Sequence, residues 1–385
     1  MVVFLKKLKK ILTSKLIFYI PKKCKIVHLG IDIDKNIFHP YFNNEPIEVI
    51  PTLSESINLF FLIKTILFLL KKNYIKNYYS SYIKFINPKI VFSTSDNFTY
   101  FYTISKNFDS LKTILIQNGR RSENLDIFSK IEPNNSYYVD YSFVFGESIG
   151  KKFSQYIKGP KISIGSFLNN HFYSFQKTSS KNLEDVFFIS SWRSNLNGLF
   201  DKNGNSVNYD SYFSTYFLVV QFLIKWCINN NKKLNICLSS LEDSNQRDLE
   251  IDFYKNISNI TNYSLIQRKN RYSSYKLLNR EGVFVFIDTT LGLEALARGK
   301  RTAALSILGY IMNWNDWKFG WPEKLPDYGP FWCNRIDIEY YSKILKFLFE
   351  VNESDWTEIR KKHISTMVEY DYKNKKLKKI IKNIL

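Results

Sequence analysis

Short apolar runs rich in Ile, Val and Phe punctuate this chain, and most of them stop on small or polar residues. In the first half they are Lys25-Ile-Val-His-Leu-Gly30, Ile47-Glu-Val-Ile50, Pro88-Lys-Ile-Val-Phe92, Lys112-Thr-Ile-Leu-Ile116, Ser142-Phe-Val-Phe145 and Lys161-Ile-Ser-Ile-Gly165. The second half repeats the pattern at Val186-Phe-Phe-Ile-Ser190, Leu234-Asn-Ile-Cys-Leu238, Val283-Phe-Val-Phe-Ile287 and Thr302-Ala-Ala-Leu305. Runs apolar at consecutive positions predict strands covered on both faces, the habit of a parallel sheet. Longer segments between or after them predict helices over 54–72, 208–229, Glu339–Leu348 and Ser354–Ile380. Strand and helix in alternation give an α/β fold with two Rossmann-like domains and mostly parallel sheets. The polar stretch Gln176–Glu184 is the predicted linker. The chain then divides into a basic segment 1–23, a first domain 24–175, a second domain 185–350, and a final helix with a basic tail over 351–385.

One strand-to-helix junction carries candidate chemistry. Val283–Ile287 runs through Asp288-Thr289-Thr290 into Leu291-Gly-Leu-Glu-Ala-Leu-Ala297, and Gly299 ends the helix before the strand at Thr302. Threonine oxygens cap free helical N–H groups. The same free groups, with the helix dipole, form an anion site at the carboxyl end of the strand. A phosphate placed there meets two hydroxyls, and Glu294, one turn on, is in reach of a ribose hydroxyl of the same ligand. The plainer alternative is that Thr290 only caps a helix and Glu294 is a solvated charge.

The neighbourhood of this junction bears on that choice. Tyr272-Ser273-Ser274-Tyr-Lys-Leu-Leu-Asn279, the Asp288–Lys300 stretch, Phe319-Gly-Trp-Pro322 and Gly329-Pro-Phe-Trp332 resemble the C-terminal half of bacterial surface-carbohydrate biosynthesis proteins. Those are glycosyltransferase-like proteins of O-antigen or capsule assembly, related in architecture to two-domain GT-B enzymes. Their turn usually reads Asp-Ser-Thr-Leu-Gly-Tyr-Glu-Ala; this chain departs from it at Thr289 and Leu293 and keeps Gly292 and Glu294. The likeness extends more thinly to Ile116-Gln117-Asn118-Gly119-Arg120 with Asp126-Ile-Phe128, and to Ile164-Gly-Ser-Phe-Leu-Asn-Asn170. What the resemblance implies is a nucleotide-sugar donor on the C-terminal domain, an acceptor on the N-terminal one, and a cleft between them.

Composition narrows the partners. Lys and Arg total 55 against 35 Asp and Glu, a net charge of +20, which favours an anionic partner: nucleic acid, an acidic membrane, or phosphorylated donors and lipid-linked acceptors. Lysines concentrate at both ends. From Lys6 to Lys23 they are interleaved with Leu5, Leu8, Ile11, Leu12, Leu16 and Ile17, as in a helix with one basic and one apolar face. Such a helix either lies on an anionic leaflet or packs on the enzyme. The run Ile57–Leu70, interrupted by Lys64, is too short to span a bilayer and reads as a core helix. Cys24, Cys227, Cys237 and Cys333 lack paired spacing, which predicts a reducing, cytoplasmic setting with no zinc site and no disulfide frame. A peripheral position on the inner face of the plasma membrane is compatible with this. Terminal basic residues without a recognition motif do not read bases, so nucleic acid is not an expected partner.

Site candidates follow from strand ends. Ser190 and Arg193 close the first strand of the second domain, where a guanidinium suits bidentate phosphate recognition. Ser239 and Ser240 end the next strand, and Arg268, Lys269 and Arg271 precede Ser273 and Ser274. The expected donor-binding set is Ser190, Arg193, Ser273, Ser274, Asp288, Thr289, Thr290, Gly292 and Glu294. Gln117, Asn118, Gly119 and Arg120 are the acceptor-binding candidates. An inverting transfer needs a base for the acceptor hydroxyl, and Asp126 and Asp96 are the candidates, with Glu123 and His28 behind them. His28 reads more simply as a strand residue. Asp32-Ile-Asp34 has metal-binding spacing but equally reads as a turn; no essential metal and no cofactor are expected, the nucleotide sugar being a substrate. A scaffold role in a polysaccharide assembly complex, and glycerophosphate-, Kdo- or sialic-acid-type transfer, remain alternatives.

Overall fold

The structure is a computed structural model describing residues 14–30, 34–52, 56–65, 74–108, 110–124, 126–133, 137–173, 183–196, 199, 205–257 and 262–385. The expected basic helix falls largely outside these residues, as do Asp32 and most of the 176–184 linker.

Each half of the chain builds one sheet. Strands β2 (Ile26–Gly30), β3 (Ile47–Pro51), β5 (Ile90–Ser93), β6 (Lys112–Ile116), β7 (Tyr141–Val144) and β8 (Lys161–Ser163) form a parallel sheet in the order β3-β2-β5-β6-β7-β8. The second sheet runs β11-β10-β9-β12-β13-β15-β14, from β9 (Asp185–Ile189), β10 (Lys233–Leu241), β11 (Tyr263–Arg268), β12 (Val283–Phe286), β13 (Thr302–Leu305), β14 (Tyr328–Gly329) and β15 (Trp332–Cys333). Only its β14–β15 pair is antiparallel. Val283–Phe286 is buried along its whole length, as its unbroken apolar run requires. The chain lays β10 and β11 on one side of β9, then returns to place β12 on the other. The crevice where the strand order reverses, at the carboxyl ends of β9 and β12, is where open α/β sheets hold ligands.

Helices depart from expectation in three places. Lys15–Ile17 is not helical but a short strand, β1, paired in parallel with β4 (Ser56–Asn58). That pairing also takes the start of the expected 54–72 helix, which is described only from Leu59 to Thr65. The long final helix is broken. It runs from Glu353 to Ile364 and restarts at Lys375–Ile384, with Lys373 and Asn374 in left-handed conformation between. The break lets residues 365–370 cross from one domain to the other. Gly165 permits the crossing, since its φ is +75° and a Cβ there would sit 1.9 Å from the Glu369 carbonyl oxygen.

On the second domain, the Glu353–Ile364 helix is fixed by Trp356 Nε1 donating to Gly299 O at 2.7 Å and Arg360 Nη1 to Leu296 O at 3.0 Å. On the first domain, Leu377 and Ile381 of the last helix are buried with Ile26, Phe38, Phe92 and Ile114, and the lysines of that helix face outward. Buried Asn374 binds Phe167 O at 3.0 Å and Asn170 at 2.9 Å. Among the described residues one helix, Tyr209–Asn229, is long and apolar enough to cross a membrane, and it packs in the core with Val219, Val220 and Leu223 fully buried.

Candidate active site

Two strand ends build the site floor. After β9 the chain reads Ser190-Ser191-Trp192-Arg193, and after β12 it reads Ile287-Asp288-Thr289-Thr290 before the helix Thr290–Ala297. Thr289 is the helix cap, its Oγ1 accepting from Leu291 N at 3.2 Å. Asp288 is fixed by three hydroxyls: Ser191 donates to Oδ1 at 2.6 Å, Tyr216 to Oδ1 at 3.1 Å and Tyr212 to Oδ2 at 2.9 Å. Burial, and then the Asp288 charge, push both phenols well above their usual range, so they remain donors.

A cavity of about 300 Å³ lies on one side of the Thr289–Thr290 turn, lined among others by Asn118, Arg268, Ser273, Ser274 and Glu294. A second, of about 410 Å³, lies on the other side and gathers Arg120, Arg121, Arg193, Asp126, Asp288 and Trp317. Ser191, Thr289 and Thr290 border both. The turn therefore sits between a mixed polar cavity and one carrying three guanidinium groups. Arg193 is exposed and has no ion-pair partner among the described residues, so its charge is available.

The first domain reaches this turn through the loop after β6. Arg120 N donates to Thr290 Oγ1 at 3.0 Å, and Arg120 Nη2 reaches Asp316 O at 2.7 Å and Lys318 O at 3.3 Å. Asp316 in turn accepts from Glu123 N at 2.8 Å. A second junction joins Ser166 to Glu294 Oε1, with Tyr275 OH donating to the same oxygen at 3.3 Å. Asn169 binds Glu294 O at 3.1 Å and accepts from Arg298 Nε at 2.6 Å. Burial raises the Glu294 carboxyl to about 7, against the opposing pull of Ser166, Arg298 and Tyr275. Glu294 is thus neither solvated nor a simple surface charge.

Several candidates take other duties. Ser190 is buried and donates to Glu250 Oε1 at 2.6 Å, accepting in turn from Tyr254 OH at 2.7 Å; it lines the smaller cavity with its hydroxyl already committed. Gly292 serves packing, since a Cβ there would lie 2.1 Å from the Phe286 ring. Gln117 is buried and braces the loop, its Nε2 donating to Gly119 O and its Oε1 accepting from Phe145 N, both at 2.9 Å, and it lines neither of the two cavities. Gly119 lies against the Thr290 hydroxyl. Asp96 is 1 % exposed and held by two Arg121 nitrogens, one at 2.6 Å; it is the counter-ion of that arginine and is removed from base duty. Asp126 does face the larger cavity, fixed by Asn97 Nδ2 at 2.9 Å and Ser122 N at 2.7 Å. His28 is a buried strand residue, with Nε2 3.3 Å from Thr94 Oγ1, and burial lowers it to about 3. Asp34 caps a turn through Asn36 N at 3.0 Å. No cluster of three or more potential metal ligands occurs among the described residues.

The sequence did not point to Glu250. Fully buried, it accepts from Ser190, from Ser239 N and Oγ at 2.9 and 3.1 Å, and from Ser240 N and Oγ at 2.8 and 2.5 Å. It ties the ends of β9 and β10 together. The serines at both strand ends were the signal, since several buried hydroxyls need a common acceptor.

Residues 114–385 match the model of a family described as "putative O-antigen biosynthesis protein". The chain belongs to this family. Solved structures extend the comparison as fold. The UDP-GlcNAc 2-epimerase of Methanocaldococcus jannaschii, in complex with UDP-GlcNAc and UDP, is 11 % identical, with 96 % of this chain and 99 % of that chain covered and a TM-score of 0.51. S. aureus MnaA in a co-structure with UDP is 10 % identical over 96 % and 95 % of the two chains, with a TM-score of 0.50. The wall teichoic acid polymerase TagF is 12 % identical over 94 % and 89 %, with a TM-score of 0.51. No curated protein matches the chain in sequence. The O-antigen family protein is therefore a carbohydrate-related protein of GT-B-like fold, and its cleft is the junction described above.

Proposed function

We propose that this protein transfers a glycosyl group from a nucleotide sugar to a hydroxyl of a surface polysaccharide or lipid-linked acceptor. The observation that carries the reading is the Thr289–Thr290 helix start standing between two cavities of unlike character. Nucleoside and ribose go to the smaller one, beside Ser273, Ser274 and Glu294. The diphosphate crosses the turn, where helical N–H groups and Arg193 meet its charge. The sugar then enters the arginine-lined cavity, which also has room for an attacking hydroxyl. In an inverting transfer the acceptor oxygen bonds to the anomeric carbon as the bond to the diphosphate breaks. The hydroxyl proton passes to Asp126, and the nucleoside diphosphate leaves against Arg193 and Arg120. Cationic side chains fill the role a metal plays elsewhere. Similar folds that hold UDP-GlcNAc and UDP, and that of a wall teichoic acid polymerase, agree with a nucleotide-linked donor. The outward lysines of the last helix suit work at the anionic inner face of the plasma membrane.

A thermal-shift panel of UDP, GDP, CMP and dTDP with their sugars tests donor binding, using Arg193→Ala and Glu294→Ala as controls. Selective stabilisation that both variants weaken supports the reading; no stabilisation of the folded protein sinks it. Mass spectrometry of donor incubated with and without lipid-linked acceptor then separates transfer from epimerisation. Isomerised donor without acceptor would replace transferase by epimerase.

A further inference from the structure

A third cavity, of about 660 Å³, lies beyond the arginine-lined one. Helix Glu147–Ser154 of the first domain forms one wall and the 315–325 segment of the second forms the other. The 117–124 loop visits all three cavities in turn: Asn118 enters the first, Arg120 to Ser122 the second, and Glu123 the third. Between the second and the third the loop is tied to the 315–325 segment by Arg120 Nη2 on Asp316 O and Lys318 O and by Glu123 N on the Asp316 carboxylate.

The lining has a mixed chemistry that restricts what fits. Trp321, from the Phe319-Gly-Trp-Pro322 motif, offers a half-buried indole backed by buried Phe128, with ring centroids 6.1 Å apart. Lys152 is paired with Glu123 at 2.5 Å, and the Glu123 side chain remains 47 % exposed. The side-chain amides of Gln155 and Asn315, the Lys324 ammonium and the Trp321 indole N–H have no hydrogen-bond partner among the described residues. Three of the four lysines that line it, Lys151, Lys152 and Lys318, are already ion-paired with Glu147, Glu123 and Asp327, which leaves little uncompensated charge for an anion, and an apolar ligand would leave the Lys324 ammonium and the amides unpaired. A polyhydroxyl ring with one flat C–H face needs this set: donors, acceptors, and an aromatic surface.

We propose that this cavity is a saccharide-binding site, with a pyranose ring stacked on Trp321 and its hydroxyls held by Gln155, Asn315 and the Lys152–Glu123 pair. It rests on the transferase reading for one point only, that the bound sugar belongs to the acceptor chain whose reacting end lies in the arginine-lined cavity.

Saturation-transfer NMR on the full chain tests it, with N-acetylglucosamine, galactose, rhamnose and galacturonic acid at millimolar concentration as probes. At least one pyranose should show transfer, with affinity falling about ten-fold or more in Trp321→Ala and measurably in Gln155→Ala. Gln155 is exposed and its side chain has no partner among the described residues, so its variant keeps the fold if Trp321→Ala does not. Binding of the donor nucleotide, read in parallel, should be unchanged by either substitution. Absence of transfer from every probe, or transfer undiminished in both variants, overturns the proposal. Saccharide binding without any nucleotide binding leaves this site standing and removes the donor reading instead.

Discussion

Nucleotide-sugar affinity should depend on pH through Glu294, and the structure sets both the sign and the size. Its Oε1 already takes the hydroxyls of Ser166 and Tyr275, whereas Oε2 accepts from no described residue and the side chain borders the smaller cavity. Burial lifts the carboxyl from 4.5 to about 7, a penalty on the charged form of about 3 kcal/mol. In the free protein, the folded state then holds a proton that the unfolded chain has released between about pH 4.5 and 7. Stability contributed by this group is complete below the unfolded value and is lost as pH rises through the folded one, levelling off above it. Ribose hydroxyls donating to Oε2 favour the carboxylate, so binding must expel that proton at low pH. Affinity at about pH 6 should be about ten-fold weaker than at about pH 8, where the profile levels off. UDP-GlcNAc is the suitable probe, because a sugar-capped diphosphate lacks the phosphate monoester that itself ionises near pH 6. Calorimetry in two buffers of different ionisation enthalpy should count close to one proton released per ligand at about pH 6. Glu294→Gln keeps the Oε1 acceptor and should give a flat profile. A flat profile in the natural protein, or an equal slope in the variant, refutes the assignment of ribose to Glu294.

Three further outcomes are expected. Arg193→Ala, which removes an exposed side chain with no ion-pair partner among the described residues, should weaken nucleotide-sugar binding by about 10- to 100-fold and leave the melting temperature unchanged; calorimetry and a thermal melt check the pair. Gly292→Ala drives a methyl into the Phe286 ring and should cost about 1–3 kcal/mol in urea denaturation, an unchanged midpoint showing that the helix can lift. Glu250→Ala strands the donors of Ser190, Ser239 and Ser240 in the interior and should cost at least about 1–3 kcal/mol, the penalty of one buried unsatisfied donor; a loss under about 1 kcal/mol would mean that water replaces the carboxylate.

Parallel strands were legible because burial on both faces writes itself as an unbroken apolar run, as at Val283–Phe286 and Val186–Ile189. The turn at Asp288–Thr290 was legible because capping is local chemistry. What failed to show was set by distant partners. Lys15–Ile17 looks helical by spacing and is a strand because Ser56–Asn58 lies beside it. Asp96 looks like a loop acid and is a buried counter-ion because Arg121 reaches it. Gln117 looks like a ligand residue and is a brace because Phe145 N is adjacent. The break near Lys373 and Asn374 has no strong local signal; their left-handed backbone is stabilised by contacts of Asn374 with Phe167 and Asn170, far away in sequence.

The return of the last helix to the first sheet also orders events during synthesis. Ile26, Phe38 and Phe92 share a buried cluster with Phe42 and Phe167 of their own domain and with Leu377 and Ile381, which the ribosome makes roughly 200 residues after that sheet is complete. At about 5–20 residues per second, the first domain waits about 10–40 s without the last part of its cover. A chaperone acting on the nascent chain has that interval to bind, and a chain cut between Ile364 and Lys375 would lack that part of the cover permanently.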